Sequence, residues 1–172
     1  MADTKLSALT ALTGVNVDTA NDLLYIDDVS VTQSKKILVD ELRIALLSNT
    51  AVTNSIGGDV ALNNTANYFD GPSCAQGVTG TWFASGTVTV TDTAGGASIA
   101  AKLWDGTTVI AEGNTTIGAA SQMISISLSG YLASPAANIR ISVKDLTSTS
   151  GAIKFNVGGN SKGSTLSVVR IG

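Results

Sequence analysis

The chain has 172 residues and a net charge of −3, with 44% hydrophobic residues and only 13% charged ones. That supports one packed domain with an appendage and excludes a chain disordered by composition. With no histidine, one cysteine and no basic cluster beyond Lys35-Lys36, it excludes Ser-His-Asp and Cys-His catalysis, histidine metal sites, an intrachain disulfide and nucleic acid as the main partner.

The chain opens "MADTKLSALTALTGVNVDTAND". Leu6, Leu9 and Leu12 recur every third residue, and Val15 follows. Asp3 precedes Lys5, and Ser7, Thr10 and Thr13 interrupt the leucines, so no secretory signal is expected. The pattern suits an extended arm. About 20 extended residues reach roughly 65–70 Å. Ordering them costs about 1–2 kcal/mol per residue. Burying Leu6, Leu9, Leu12 and Val15 returns about 6–12 kcal/mol. The leucines alone cannot hold such an arm, so it needs backbone pairing with a partner strand.

"NDLLYIDD" predicts a short strand, with Leu24 and Ile26 on one side and Leu23 and Tyr25 on the other. "TQSKKILVDELRIALL" predicts a turn, an extended "KKILV" and then one short helix. Leu38, Leu42, Ala45 and Leu46 lie near one face of it, and Asp40 and Glu41 near its start suit the helix dipole. So short a helix needs a surface to rest on. Residues 1–47 therefore read as a docking arm with a strand and a helix. Residues 48–71, rich in Asn, Thr, Gly and Ala, read as a linker.

Residues 72–172 read as strands and turns. "TWFASGTVTVTD" alternates, with Trp82, Ala84, Gly86, Val88 and Val90 on one face and Phe83, Ser85, Thr87, Thr89 and Thr91 on the other. Such alternation marks a half-buried antiparallel strand. Asp105-Gly106 between two apolar runs predicts a hairpin from Ser98 to about Glu112 with a type I′ turn. "QMISISLSG" faces Ile124, Ile126 and Leu128 one way. "NIRISVKD" faces Ile139, Ile141 and Val143 one way and Arg140, Ser142 and Lys144 the other. "AIKFNVGG" sets Ile153, Phe155 and Val157 opposite Lys154 and Asn156, and "STLSVVRIG" supplies a last strand. Pro135 falls in a connection, where no ladder bond is lost. The expected fold is mainly β: an antiparallel, jelly-roll-like sandwich of about 7–8 strands. Its outer positions are Ser, Thr and Asn. This fits either a solvated face of good strand formers or contact with neighbouring copies.

Candidate chemistry is sparse. Cys74 in "GPSCAQG" has no basic neighbour and reads as a small packed residue. Trp82, Trp104 and Tyr131 are candidate platforms for a host-surface glycan. Trp104, pointing opposite to Leu103 beside the turn, is the candidate exposed aromatic contact. Asp105, Glu112 and Asp145 are the carboxylates of the later β-domain. Asp105 is explained by its turn, and no spacing places two of them together, so no enzyme is expected. No cofactor, calcium loop or membrane span is expected either.

"ADTKLSALTAL", "DLLYIDDVS" and "KKILVDELR" together resemble an N-terminal segment of tailed-bacteriophage virion proteins. Its form is roughly a "TKISAL" opening, a "PIV" strand and a "KKITVAEL" close. The resemblance covers about residues 2–46 and departs at Tyr25-Ile26-Asp27, where the common form has a proline. "YFDGPSCAQGVTGTWFASGTVTVTD", "KLWDGTTVIA" and "SPAANIRISV" are similar to the jelly-roll domain of phage head-fibre and capsid-decoration proteins. The resemblance implies a virion protein at the capsid surface, made in the host bacterial cytoplasm. It implies a homotrimer docked on the major capsid protein, or on another virion protein, through Leu6, Leu9, Leu12, Val15, Leu24 and Ile26. A tail-fibre or baseplate adaptor, or a carbohydrate-binding module, is the alternative.

Overall fold

The computed structural model describes residues 23–28, 33–38 and 50–172. The chain divides into two compact units, Met1–Ser48 and Asn49–Gly172. Within the first, β1 (Leu23–Asp28) pairs antiparallel with β2 (Gln33–Leu38), from Leu23 opposite Leu38 to Asp28 opposite Gln33. The expected "NDLLYIDD" strand and extended "KKILV" thus form one hairpin. Leu24 lies opposite Ile37 and Ile26 opposite Lys35. Leu6, Leu9, Leu12, Val15 and the expected short helix lie outside the described residues.

The second unit holds ten strands: β3 (Ala51–Ser55), β4 (Val60–Leu62), β5 (Phe69–Cys74), β6 (Thr81–Asp92), β7 (Ala97–Trp104), β8 (Val109–Ile117), β9 (Met123–Ala133), β10 (Ile139–Asp145), β11 (Gly151–Ile153) and β12 (Thr165–Arg170). One sheet runs β5-β10-β7-β8. The other runs β3-β12-β6, with β9 on the far flank of β6 and β11-β4 continuing beside its C-terminal end. Setting aside short β4 and β11, the chain crosses between two four-stranded sheets, β3-β12-β6-β9 and β5-β10-β7-β8, at every connection except the β7–β8 hairpin. That winding is a jelly roll. No helix among the described residues is long and apolar enough to cross a membrane.

Alternation builds the core. Trp82, Ala84, Val88 and Val90 of β6, Ile126 and Leu128 of β9, and Leu166 and Val168 of β12 face Ile99, Ala101 and Leu103 of β7 and Ile139, Ile141 and Val143 of β10. Each fully buried aliphatic side chain is worth about 1.5–3 kcal/mol. The inward sets read from the runs of β6, β7, β9 and β10 are those observed. Cys74 joins the core, its Sγ 3.3 Å from the Leu166 carbonyl oxygen. Burial pushes its thiol pKa up, which makes it a poor nucleophile.

Three expectations need correction. The stretch 48–71 is not a linker, because β3, β4 and the start of β5 lie in it. Edge strands this short carry little hydrophobic signal. β3 is held by backbone pairing with β12, Val52 opposite Val168. The strand expected in "AIKFNVGG" ends at Ile153, and Val157 is exposed. There β12 takes over as the partner of β6, so the chain must leave the sheet. The hairpin spans Ala97 to Ile117, but its turn is not type I′. Only Gly106 has positive φ, at 97°, and Asp105 does not. The Asp105 carboxylate instead accepts from the backbone N–H groups of Thr107 and Thr108 at 2.9 and 2.6 Å, forming a longer, side-chain-capped loop.

Pro72 lies inside β5 without breaking the sheet. β5 is an edge strand, and its pairing with β10 shifts register between Arg140 and Ser142, opposite the proline. A bulged edge is where a missing N–H does least harm.

Candidate functional site

The two outer faces of the sandwich differ in charge. Across β3-β12-β6-β9, the outward positions form rows. Thr53, Ser167, Ser85 and Ser129 make one; Ser55, Thr165, Thr87 and Ser127 make the next. Neighbouring hydroxyls hydrogen-bond across strands: Thr53 to Ser167 at 2.8 Å, Ser55 to Thr165 at 2.8 Å and Thr87 to Ser127 at 3.0 Å. The next row is apolar: Ala51, Val169, Phe83 and Tyr131. Phe83 and Tyr131 pack with ring centroids 5.0 Å apart, and Tyr131 is 66% exposed. No outward strand position in these four strands carries a charge; Lys162, in the preceding loop, reaches the rim at Ser55 Oγ. A shallow groove of about 480 Å³ crosses this face beside Thr89, Ser125 and Gly163.

The other sheet presents the reverse. Outward on β10, β7 and β5 stand Arg140, Ser142, Lys144, Lys102, Trp104 and Asp70. Lys102 Nζ lies 3.3 Å from the Trp104 ring centroid and 4.2 Å from that of Tyr68. Arg140 Cζ is 4.9 Å from the Trp104 centroid, and Lys144 Nζ is 5.9 Å from that of Tyr68. Ser142 links the cluster, accepting from Trp104 Nε1 at 2.6 Å and donating to Asp70 Oδ1 at 2.6 Å.

These positions sort the expected aromatic platforms. Trp82 is core, 3% exposed, its indole N–H donating to the Thr79 carbonyl at 2.9 Å. Trp104 is on the outer face as expected, but it is half-buried, with two cations over its ring. It is not an open platform. Tyr131 is the exposed one.

The structure does place two carboxylates together, though not a pair named from the sequence. Asp92, at the end of β6, and Asp145, at the end of β10, are both fully buried. Ser148 Oγ lies 2.6 Å from Asp92 Oδ2 and 2.9 Å from Asp145 Oδ2. Its single proton can serve only one of them at a time. Asp92 Oδ1 also accepts from Ala94 and Gly95 N–H, and Asp145 Oδ1 from Thr147 and Ser148 N–H. Each carboxylate caps the turn that follows its strand. Sealed from substrate, the pair ties two turns at one end of the sandwich rather than cleaving a bond. Among the described residues, no group of three or more metal-ligating side chains is assembled. Glu112 lies apart, exposed and opposite Lys102.

Asp105 is a structural residue with wider reach than a turn requires. Its Oδ2 accepts from Ala136 N–H at 2.7 Å, fastening the β9–β10 connection to the β7–β8 loop. Burial pushes its carboxyl pKa up, but the N–H groups of Thr108, Ala136 and Thr107 outweigh that and hold it below the ordinary carboxylate value. Asp105→Ala removes three charge-assisted bonds. It should destabilise the fold by about 2 kcal/mol, read as a lower urea midpoint. An unchanged midpoint would show that the capped loop carries no stability. Gln76 was not legible in the sequence. Buried, it accepts from Ile139 N–H at 3.0 Å and donates to the Ala137 carbonyl.

No protein-family model and no curated protein matches the sequence. Solved structures align with the chain at low identity. The Eiger TNF of S. frugiperda aligns at TM-score 0.48 and 12% identity over 72% of this chain and 93% of its own. The PRD1 vertex protein P5 aligns at TM-score 0.41 and 12% identity over 87% and 82%. The C-terminal CBM6 of LamC from Zobellia galactanivorans aligns at TM-score 0.32 and 10% identity over 70% and 100%.

Proposed function

We propose that this chain is a structural virion protein of a tailed phage, a capsid-decoration or head-fibre subunit. In this reading it is made in the host bacterial cytoplasm, forms a homotrimer and docks on the major capsid protein through its N-terminal arm. The sandwich is displayed outward and performs no catalysis. The observation that carries the reading is the segregation of charge between the two sheets. A face of paired hydroxyls, one apolar row and exposed Tyr131 has the charge depletion and aromatic content of an interface core. Its hydroxyls already satisfy one another across the strands, so covering them with a second copy leaves few unpaired polar groups. The resemblance of residues 2–46 to virion docking segments supplies the partner.

Cryo-electron microscopy of virions with and without this protein tests the reading. Trimeric density should disappear from the capsid surface. Loss from the tail alone would move the protein to the tail-fibre or baseplate alternative. Ser127→Glu, at the centre of the uncharged face, should leave a folded monomer by light scattering that no longer appears on the particle. A wild-type monomer in solution and on the particle would overturn the trimer.

A further inference from the structure

We propose that the outer face of the β5-β10-β7-β8 sheet binds an acidic saccharide, with Lys102, Arg140 and Lys144 receiving its carboxylate, Tyr68 its ring face, and Glu112 and Asn114 its hydroxyls. The site is independent of the assembly role and uses the opposite face of the sandwich.

Charge comes first. Three cations gather round two aromatic rings, joined through Lys102, which lies over both Trp104 and Tyr68. The facing acidic groups are Asp70 and Glu112. Asp70 is engaged: its Oδ1 accepts from Ser142 and lies 3.2 Å from Arg140 Nε. That Nε is buried and makes no well-formed hydrogen bond. Glu112 stands opposite Lys102 in the ladder, yet the two form no ion pair. Among the described residues, neither Lys102 nor Lys144 has a carboxylate partner. Burial and then the positive charge of Arg140 push the Lys102 ammonium pKa down, while Asp70 only partly offsets them. Like charges held this close repel one another, and a bound anion relieves that repulsion.

Shape selects the saccharide. Tyr68 stands at the edge of a polar groove of about 310 Å³, lined also by Ala100, Glu112, Gly113 and Asn114. The groove meets the cations at Tyr68, so a ligand bridging both needs carboxylate and hydroxyl groups on one scaffold. Tyr68 is 37% exposed, and the part of its ring that Lys102 and Lys144 leave open can pack against a pyranose ring. Glu112 and Asn114 are exposed and can hydrogen-bond hydroxyls. An inorganic anion would use only the cations.

Titration calorimetry of the full chain at low salt tests the assignment. The probes are tetragalacturonate, its uncharged methyl ester, and inorganic phosphate. Tetragalacturonate should bind with Kd of about 1 mM or below, a weak exposed-site affinity. The ester and phosphate should each bind at least about tenfold more weakly. Lys102→Ala and Lys144→Ala should each weaken tetragalacturonate about tenfold, the loss of one charge-assisted contact. Tyr68→Ala should weaken it without altering the response to salt. These side chains are partly exposed, and circular dichroism checks that each variant is folded. Three results overturn the proposal: no tetragalacturonate binding, equal binding of the ester, or undiminished binding by a folded Lys102→Ala, Lys144→Ala double variant. Phosphate binding as tight as tetragalacturonate would overturn the saccharide assignment.

Discussion

Asp92→Ala should lower the unfolding free energy of the sandwich by about 2–3 kcal/mol. Asp92 is fully buried and accepts from Ala94 N–H at 2.6 Å, Gly95 N–H at 3.2 Å, Ser148 Oγ at 2.6 Å and Ser150 Oγ at 3.1 Å. Alanine leaves the Ala94 and Gly95 N–H groups without this acceptor. It also breaks the Ser148 bridge between the two turns, although Ser148 Oγ keeps Asp145 Oδ2, at 2.9 Å, as an acceptor. The pH dependence follows from the same contacts. Burial, the largest influence, pushes the Asp92 pKa up. Hydrogen bonds from Ser148, Ala94 and Ser150 act the other way and, together with Asp145, hold it below the ordinary 3.8. A depressed folded-state pKa contributes stability above the unfolded-state value, and that contribution is lost as pH falls through the folded-state value. The difference between wild type and Asp92→Ala should therefore be constant near neutral pH. It should shrink only as acid unfolding is followed below about pH 4. Urea unfolding at several pH values measures this. A neutral-pH loss under about 1 kcal/mol would refute the buried-network account.

Gly86→Val should destabilise by about 3 kcal/mol or more, although valine is the better strand former by up to about 1 kcal/mol. Gly86 lies on the inward face of β6, opposite Leu166 of β12 and Leu128 of β9. A Cβ there would stand 2.7 Å from the Thr165 carbonyl oxygen and 2.9 Å from Ile141 Cδ1. The carbonyl belongs to the neighbouring strand and cannot retreat without disturbing the β6–β12 ladder. Gly86→Ala should show the same sign with a smaller loss. Thermal unfolding distinguishes the cases, because a raised Tm for either variant would mean that propensity outweighs the clash.

The charge-segregated faces were half legible in advance. Alternation in β6, β7, β9 and β10 separates Ser85, Thr87, Ser125 and Ser127 from Val88, Val90, Ile124 and Ile126, because successive strand residues point to opposite sides. It does not say which strands share a sheet. Asp92 and Asp145 are 53 positions apart (145 − 92) and meet only because β6 and β10 end at the same edge of the sandwich. Tyr68 lies in a stretch read as linker. It reaches Lys102 because β5, which follows it, pairs with β10 beside β7. Edge strands such as β3 and β4 escape a pattern reading because backbone pairing, rather than apolar burial, holds them.

By itself, the sequence determined the chemistry open to this protein and the inward set of its long strands. Composition removes histidine-based catalysis and an intrachain disulfide, and a period of two assigns Ile99, Leu103, Ile141 and Val143 to a core. Tertiary structure decided the rest. It turned Asp105-Gly106 into a carboxylate-capped loop, buried Trp82, joined Asp92 to Asp145, and gathered three cations on one sheet and none on the outward positions of the other sheet's four main strands. The physical reason is reach. Side-chain direction is a local property of the backbone, whereas strand order, and every contact that depends on it, is set by which buried faces fit together across the whole fold.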